Sequence, residues 1–517
     1  MANYKRTLKR FTALAFLVFA AVSCFAQKQD YIWFAGYESY NGYDTTSHHW
    51  FGITQFDFNQ NPMSISYDSL GMNFSRTNVS YCDSDGSLQF YSNGIYIGNS
   101  LDEKIENSDS MNWGALITQF DPSIAEYGYR NTQGILAIEN PSQQKQYYLI
   151  HSYLDTSATL QLYCKRTLAT LLDMNLNGGH GAVLYKNQTI IENNLGGDLT
   201  ACRHANGRDW WFLVNKRYTN CYYRLLLDNT GIHLQNNLTC SGDSLTFGTV
   251  SSSVFSPDGS KFAVFSVLNN VNIFDFDRCN GELSNPVVIP ISSLVDSQWY
   301  SNGAAISPNN RFLYIGATTH VYQYDLFAAD IPASVVVVAT YDGSRNPFGS
   351  YFHTMQIGPD GKIYESCGNG EDVYHVIDRP DEKGDSCLFR QHGISLITYS
   401  GGVPNFPNYR LGALPGSPCD TLTGLNETAR ALKEKILKVF PNPAGNMVTV
   451  DYGFTDWSKG DVRLTISDEL GRVVYEQSLP KYSGFQNINV STLAAGTYFV
   501  YLKRNGNTVA GEKMMKE

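Results

Sequence analysis

The stretch FSPDGSKFAVFS, residues 255–266, is the key to the fold. Asp258-Gly259 supplies a tight turn and β-formers follow it, so the stretch reads as a β-hairpin. Near-copies return downstream. ISPNNRFLYIG begins at Ile306 and IGPDGKIYES at Ile357, which sets Ser256, Ser307 and Gly358 at intervals of 51 residues. Upstream, HANGRDWWFLV places Gly207 52 residues before Gly259. A period of this length is the signature of a repeat architecture.

Each copy is followed by a second strand pair, as in VNIFDFDRCNGELSNPVVIP after the first. Two hairpins per repeat make a four-stranded antiparallel unit, and such units arranged radially are the blades of a β-propeller. A blade has two faces that it cannot cover by itself, which accounts for apolar residues on both sides of these strands. Weaker copies, YCDSDGSLQFYS and AIENPSQQKQYYLIHS, carry the rhythm towards the N-terminus, and FGITQFDFNQNPMSISYDS resembles half a unit. The expectation is an all-β, seven-bladed, WD40/YVTN-like propeller over residues 27–414. Its units lie near 31–69, 81–131, 135–190, 200–245, 251–295, 302–345 and 353–392. GISLITYSGGVPNFPNYRLG then returns to the first blade and closes the ring.

The flanks differ. In residues 1–26, Lys5, Arg6, Lys9 and Arg10 precede the apolar run FTALAFLVFAAV, which predicts a cleaved signal peptide. Lipidation at Cys24 is the alternative, though Ala21 stands where a lipoprotein signal usually has Leu. No later segment is long and apolar enough for a transmembrane helix. Removing four basic residues takes the net charge from −10 to −14, which argues against nucleic-acid binding. Nine cysteines remain after residue 26. Their scattered spacing gives no support to zinc ligation, and Cys387 with Cys419 or Cys202 with Cys221 are possible bridges. Past Leu414, residues 415–438 read as a linker with a short helix over Glu427 to Lys438. Residues 439–517 carry short alternating strands, with turns at DELGR and RNGN, and predict a small immunoglobulin-like β-sandwich.

That last segment closely resembles the C-terminal sorting domain, type A, of substrates of the type IX secretion system of Bacteroidetes. The resemblance rests on Phe440-Pro441-Asn442-Pro443-Ala444, DELGRVVY with Gly471, INVSTLAAGTYFVYL with Gly496 and Tyr498, and the basic end around Lys513. It implies a partner, the type IX secretion machinery, and export of a folded protein to the cell surface, where the tail is usually removed. Residues 81–422 resemble the secreted seven-bladed propeller proteins of the same phylum through CDSDGSLQFYSNGIYIGN, FSPDGSKFAVFS and PNFPNYRLGALPGSPCDTL. One departure is Tyr96-Ile97-Gly98-Asn99 where Val-Trp-Asn is common. That family implies an architecture and an address, and no defined activity.

No catalytic constellation assembles. There is no G-x-S-x-G elbow, H-E-x-x-H helix or P-loop, and most carboxylates fall at turns, where Asp bonds its own backbone. Asp275 and Asp277 in FDFDRCNG lack the alternating ligands of a calcium loop. His48 and His49 are adjacent and would face opposite ways in a strand; His180, His204 and His353 read as structural. No catalytic, cofactor-binding or metal-binding residue is therefore assigned. Trp33, Trp50, Trp113, Trp210, Trp211 and Trp299 could pack between blades or line a binding site. Trp299 and Tyr300, in SSLVDSQWYSNG, are the preferred ligand-binding candidates. The leading reading is a secreted, non-catalytic binding or adhesion protein with an unknown protein or glycan ligand. A polysaccharide-active hydrolase or lyase, or an accessory of the secretion or gliding apparatus, are the alternatives.

Overall fold

A computed structural model describes residues 27–46, 48–157, 162–245, 251–266, 270–290, 303–345, 347–419, 435–454, 461–469, 471–479, 483–505 and 507–517. The expected signal peptide and the pair Trp299 and Tyr300 lie outside the described residues. The chain divides into two compact units, Met1–Cys419 and Asp420–Glu517.

The first unit is a succession of antiparallel sheets in which strand order follows chain order. The opening hairpin pairs Ser251–Phe255 with Lys261–Ser266, and Val271–Asp277 and Glu282–Ile289 complete a four-stranded sheet. The next copy does the same with Gly303–Ile306, Phe312–Ala317, His320–Asp325 and Val336–Thr340. Met355–Ile357, Ile363–Glu365, Glu371–Ile377 and Phe389–Ser400 form the third. The recurring turn is built by its own side chains. Asp258 Oδ1 accepts from Ser260 N at 2.9 Å and from Ser256 Oγ at 2.6 Å, while Gly259 sits at φ +73°. A Cβ at Gly259 would lie 2.6 Å from Cys202 Sγ, so both conformation and space call for glycine.

The expectation of four strands in every unit fails in two places. Ile32–Tyr37, Gly52–Asp57 and Ser64–Asp68 form a three-stranded sheet, as do Val79–Cys82, Leu88–Ser92 and Ile97–Asn99. Downstream of the second, Leu116–Phe120 and Ile124–Tyr127 are helical where a fourth strand was expected. Between residues 135 and 245 the strands merge into one nine-stranded sheet, because the long strand Ala182–Leu195 reaches Lys216 through Leu195.

Segment 401–414 holds no strand, yet it bonds residues in or beside several successive sheets. Asn405 N donates to Asn78 O, and Asn405 Nδ2 donates to both Ile135 O and Leu199 O at 3.0 Å. Tyr409 Oη donates to Ala137 O, Asn408 Nδ2 to Pro257 O and Leu414 N to Ala205 O. Beside the first sheet the contacts run in reverse order: Thr398 Oγ1 donates to Ala35 O, Phe406 packs on Trp33 and Arg410 pairs with Asp30. The expected return to the first sheet is thus made by side chains and backbone along a strap.

The disulfides join Cys221 to Cys240 and Cys279 to Cys419, neither of which is a pairing read from the sequence. Cys202 faces Trp211 in register and is buried, whereas Cys221 lies directly opposite Cys240 across two paired strands. Cys387 is buried among Phe352, Ile363 and Ile377.

The second unit has two antiparallel sheets. Lys435–Phe440, Met447–Phe454 and Ser483–Asn489 form one; Val473–Ser478, Val462–Asp468, Gly496–Arg504 and Asn507–Lys516 form the other. Val450, Leu464, Val500 and Leu502 are buried in one core drawn from both. Lys435–Lys438, expected at the end of a helix, is strand: Ile436 and Leu437 pair with Gly453 and Tyr452. The β-branched and aliphatic run ILKVF gains more from a pairing edge than from an isolated helical turn.

Candidate functional site

Three places in the first unit concentrate chemistry, and they differ in what they can do. The first is a cavity of about 290 Å³ beside the strap, lined by Thr200, Ser253, Ala304, Met355, Gln356 and Phe406 among others. No Asp, Glu or His is among its lining residues. Its polar side chains are spent on structure: Gln133 exchanges two hydrogen bonds with the backbone of Ser253 in the next sheet, and Gln356 Oε1 accepts from Phe406 N of the strap. Cys202 also lines it, but burial pushes that thiol up to about 12, so it is no nucleophile at neutral pH.

The second is a set of buried ionisable groups. Both carboxylate oxygens of Glu365 lack a hydrogen-bond partner, and burial raises its pKa well above the ordinary value. Asp198 is pushed up to about 7 by burial, against which a hydrogen bond from Ser251 works. Burial lowers His151 and His353 to about 3 and His375 to about 4, leaving all three neutral. His375 Nε2 bonds Ser350 O while its Nδ1 accepts from His392 N, so its neighbour Cys367, 3.5 Å away, has no base beside it. These are core groups, and they do not converge on a cavity that a substrate could enter.

The third is an exposed aromatic surface. Tyr43–Asp44 and His49–Trp50 pair as a short hairpin between the first two strands of the first sheet. Trp50 bridges to Thr398, so the hairpin adds to the edge of the Met355–Ser400 sheet. The rings of Tyr43 and Trp50 lie 4.9 Å apart, and those of Trp50 and Tyr67 5.9 Å apart. All three are exposed, at 38, 46 and 41%. Gly52 leaves room for Tyr67 to lie across the backbone: a Cβ there would meet the ring at 2.5 Å. Beneath, Phe51 and His49 pack on the buried Tyr399, and His49 Nε2 pairs with Asp372 at 2.7 Å. Clustered exposed aromatics on a rigid base are a feature of recognition surfaces.

The other sequence candidates scatter. Trp33, Trp210 and Trp211 are buried, and Trp113 is exposed. His180 pairs with Glu103 and His204 Nε2 meets Cys279 O. Asp275 serves Lys261 and Asn285, and Asp277 holds the turn at Cys279. Trp50 was visible in the sequence only as one tryptophan of several; the polar loop around it, TTSHHWFG, was the signal that it stands on an exposed connection.

In the second unit Asn442 acts as a clasp. Its Nδ2 donates to Lys513 O at 2.7 Å and its Oδ1 accepts from Met515 N at 2.8 Å, fastening the segment with Pro441 and Pro443 to the last strand. Gly471 takes φ +76° at the DELGR turn, Tyr498 is buried with its hydroxyl on Ala494 O, and Gly496 opens the strand that carries it. Residues 438–517 match the secretion system C-terminal sorting domain. This sorting domain makes the chain a substrate of type IX secretion, delivered to the cell surface. Among the described residues no helix is long and apolar enough to cross a membrane.

Comparison with curated proteins finds no match. Among solved structures, a functionally unknown protein from Desulfotomaculum acetoxidans is 13% identical, covering 72% of this chain and 99% of its own, with a TM-score of 0.38. A candidate 6-phosphogluconolactonase from Bacteroides fragilis is 12% identical over 72% of this chain and 98% of its own, at 0.40. The Dos1 propeller is 12% identical over 70% and 81%, at 0.33. Similarity at this level assigns no activity.

Proposed function

We propose that the chain is a secreted binding protein, carried to the cell surface by its sorting domain, whose first unit is a seven-bladed β-propeller and whose second is an immunoglobulin-like sandwich. The successive sheets beginning at Ile32, Val79, Ile135, Ala201, Ser251, Gly303 and Met355 are its blades, and strap 401–414 closes the ring. The strap's bonds to Asn78, Ile135, Leu199, Ala205 and Pro257, which lie in or beside successive sheets, support this reading. The protein acts by recognition rather than by catalysis, on a protein or glycan presented outside the cell. The observation that carries this is the exposed Tyr43, Trp50 and Tyr67 cluster, set against a central cavity lined by neither carboxylate nor imidazole.

The test is a glycan and surface-protein array probed with the mature chain, with each hit examined for product by mass. Binding without turnover that Trp50→Ala weakens at least tenfold, about 1.4 kcal/mol, is the expected result. A cleaved product, or binding indifferent to Trp50→Ala and Tyr67→Ala, overturns the reading.

A further inference from the structure

One small cavity in the core draws orphaned polar atoms together. It lies between the strand pair Trp210–Lys216 and Thr219–Asp228 and the sheet that begins at Ser251. Its volume is about 10 Å³, room for one water-sized body. Asp198, Asn215, Tyr222 and Ser251 are among its polar lining residues, and Leu213 and Val264 among the apolar ones. Three oxygens of that lining find no hydrogen-bond partner among the described residues: Asp198 Oδ1, Asn215 Oδ1 and the Tyr222 hydroxyl. All three residues are buried. One unsatisfied buried polar atom is uncommon, and three around a single cavity call for a shared partner.

Strand register explains the convergence. Asn215 and Tyr222 are paired across their hairpin, so their side chains leave the same face of the sheet. Asn215 Nδ2 is spent on Cys221 O at 3.3 Å, which leaves the carbonyl end of the amide for the cavity. The Tyr222 ring stands edge-on to Phe262 and Phe274, and that packing fixes where its hydroxyl lies. Asp198 stands on the connection 196–200, which is pinned by Gly196 N to Asn215 O at 3.0 Å and by Leu199 N to Gln133 O at 2.8 Å. Ser251, the first residue of the next sheet, donates its hydroxyl to Asp198 Oδ2. The oxygens are thus positioned from two sheets before any ligand is considered.

Their chemistry is that of a hard-cation site. The three unpaired atoms come from a carboxylate, an amide carbonyl and a phenol, the oxygen donors that alkali and alkaline-earth ions take. No Lys, Arg or His is among the lining residues, and the hydrogen bond that Asp198 receives from Ser251 comes from a neutral hydroxyl. A buried carboxylate without a counter-charge is costly, and a water molecule bridging the same atoms brings no charge. One carboxylate balances one positive charge, so a divalent ion leaves an excess, and the cavity has no room for the waters that magnesium keeps. We propose that Asp198, Asn215 and Tyr222 bind one dehydrated alkali-metal cation, sodium or potassium, which ties their strand pair to the sheet beginning at Ser251. The ion serves stability, and the site is independent of the Tyr43, Trp50 and Tyr67 surface.

The experiment is thermal unfolding of the full mature chain in mildly alkaline buffer at constant chloride and ionic strength. Sodium, potassium or the bulky N-methylglucamine ion is the cation, and the series is repeated with Asp198→Asn and Tyr222→Phe. At saturating salt an ion that fits should raise the melting temperature by about 2–4 °C over N-methylglucamine. Either alkali ion doing so supports the site, and the larger shift identifies the ion it prefers. Asp198→Asn removes the charge and keeps the shape, so it should abolish the difference. Tyr222→Phe removes one oxygen and keeps the ring packing, so it should shrink the difference, and it decides the matter if the Asp198 variant does not fold. The proposal is overturned if the parent melts alike in all three salts, which leaves the cavity to water, or if a variant that folds keeps the full difference.

Discussion

Arg410 Nη1 and Nη2 donate to Asp30 Oδ1 and Oδ2 at 2.7 and 2.8 Å, a two-pronged ion pair between residues 380 positions apart. Asp30 is buried, and its backbone carbonyl accepts from Trp33 Nε1, so the pair seats the strap against the start of the first sheet. Removing one partner strands the other charge. Asp30→Asn should cost about 2–4 kcal/mol of stability, less than a fully buried pair because Arg410 keeps partial contact with water. Denaturant unfolding of the mature chain measures it, and a change under 0.5 kcal/mol would show that the pair does not hold the strap.

The disulfide between Cys279 and Cys419 closes a sequence separation of 140 residues and locks the end of the strap. Loop-closure entropy puts its contribution at about 4–5 kcal/mol as an upper figure. Cys419→Ser should lower the melting temperature and bring earlier proteolysis within 401–419, whereas loss of the short-loop Cys221–Cys240 bridge should cost less. Equal effects of the two single variants would contradict this ordering.

Glu365 is buried with neither oxygen satisfied, and burial raises its pKa above the ordinary 4.5. The folded protein therefore prefers the protonated acid. The stability tied to that preference is fully present below the ordinary glutamate range and is lost as pH rises through the raised value. Glu365→Gln, which cannot ionise, should be more stable than the parent at neutral pH by about 1–3 kcal/mol and should show a flatter pH profile. Thermal unfolding across acid to alkaline pH checks both, and a variant less stable than the parent at every pH would exclude the idea.

Asn442 fastens the Pro441 and Pro443 segment to the last strand through two hydrogen bonds. Asn442→Ala should destabilise the sorting domain by about 1–3 kcal/mol and reduce the amount of protein that reaches the cell surface. Surface quantification next to a periplasmic fraction tests this, with normal delivery counting against a role for the clasp.

Much of the architecture was legible in local chemistry. The 51-residue period is carried by a few residues whose interactions are nearly self-contained: Ser256, Asp258 and Gly259 complete their turn with bonds to one another and to Ser260 and Lys261. The same holds for the sorting domain, whose motif lies within one contiguous stretch. The two irregular sheets near the N-terminus were harder to read, since helical turns at Leu116–Phe120 and Ile124–Tyr127 replace a strand without breaking the hydrophobic rhythm.

What tertiary structure alone decided was partnership between distant residues and the direction a side chain faces. Trp33 lies within the first strand of the first sheet and Trp50 in the connection to that strand's partner, yet the second is exposed and the first has no exposure at all. Cys221 meets Cys240 because strand register sets them opposite, and no spacing rule distinguishes that pairing from Cys202 with Cys221. Asp198, Asn215 and Tyr222 look ordinary in sequence; the cavity they share exists only once strands Trp210–Lys216, Thr219–Asp228 and Ser251–Phe255 are in place. A turn is specified by the few residues that make it, whereas a surface is specified by packing among segments that the chain itself keeps far apart.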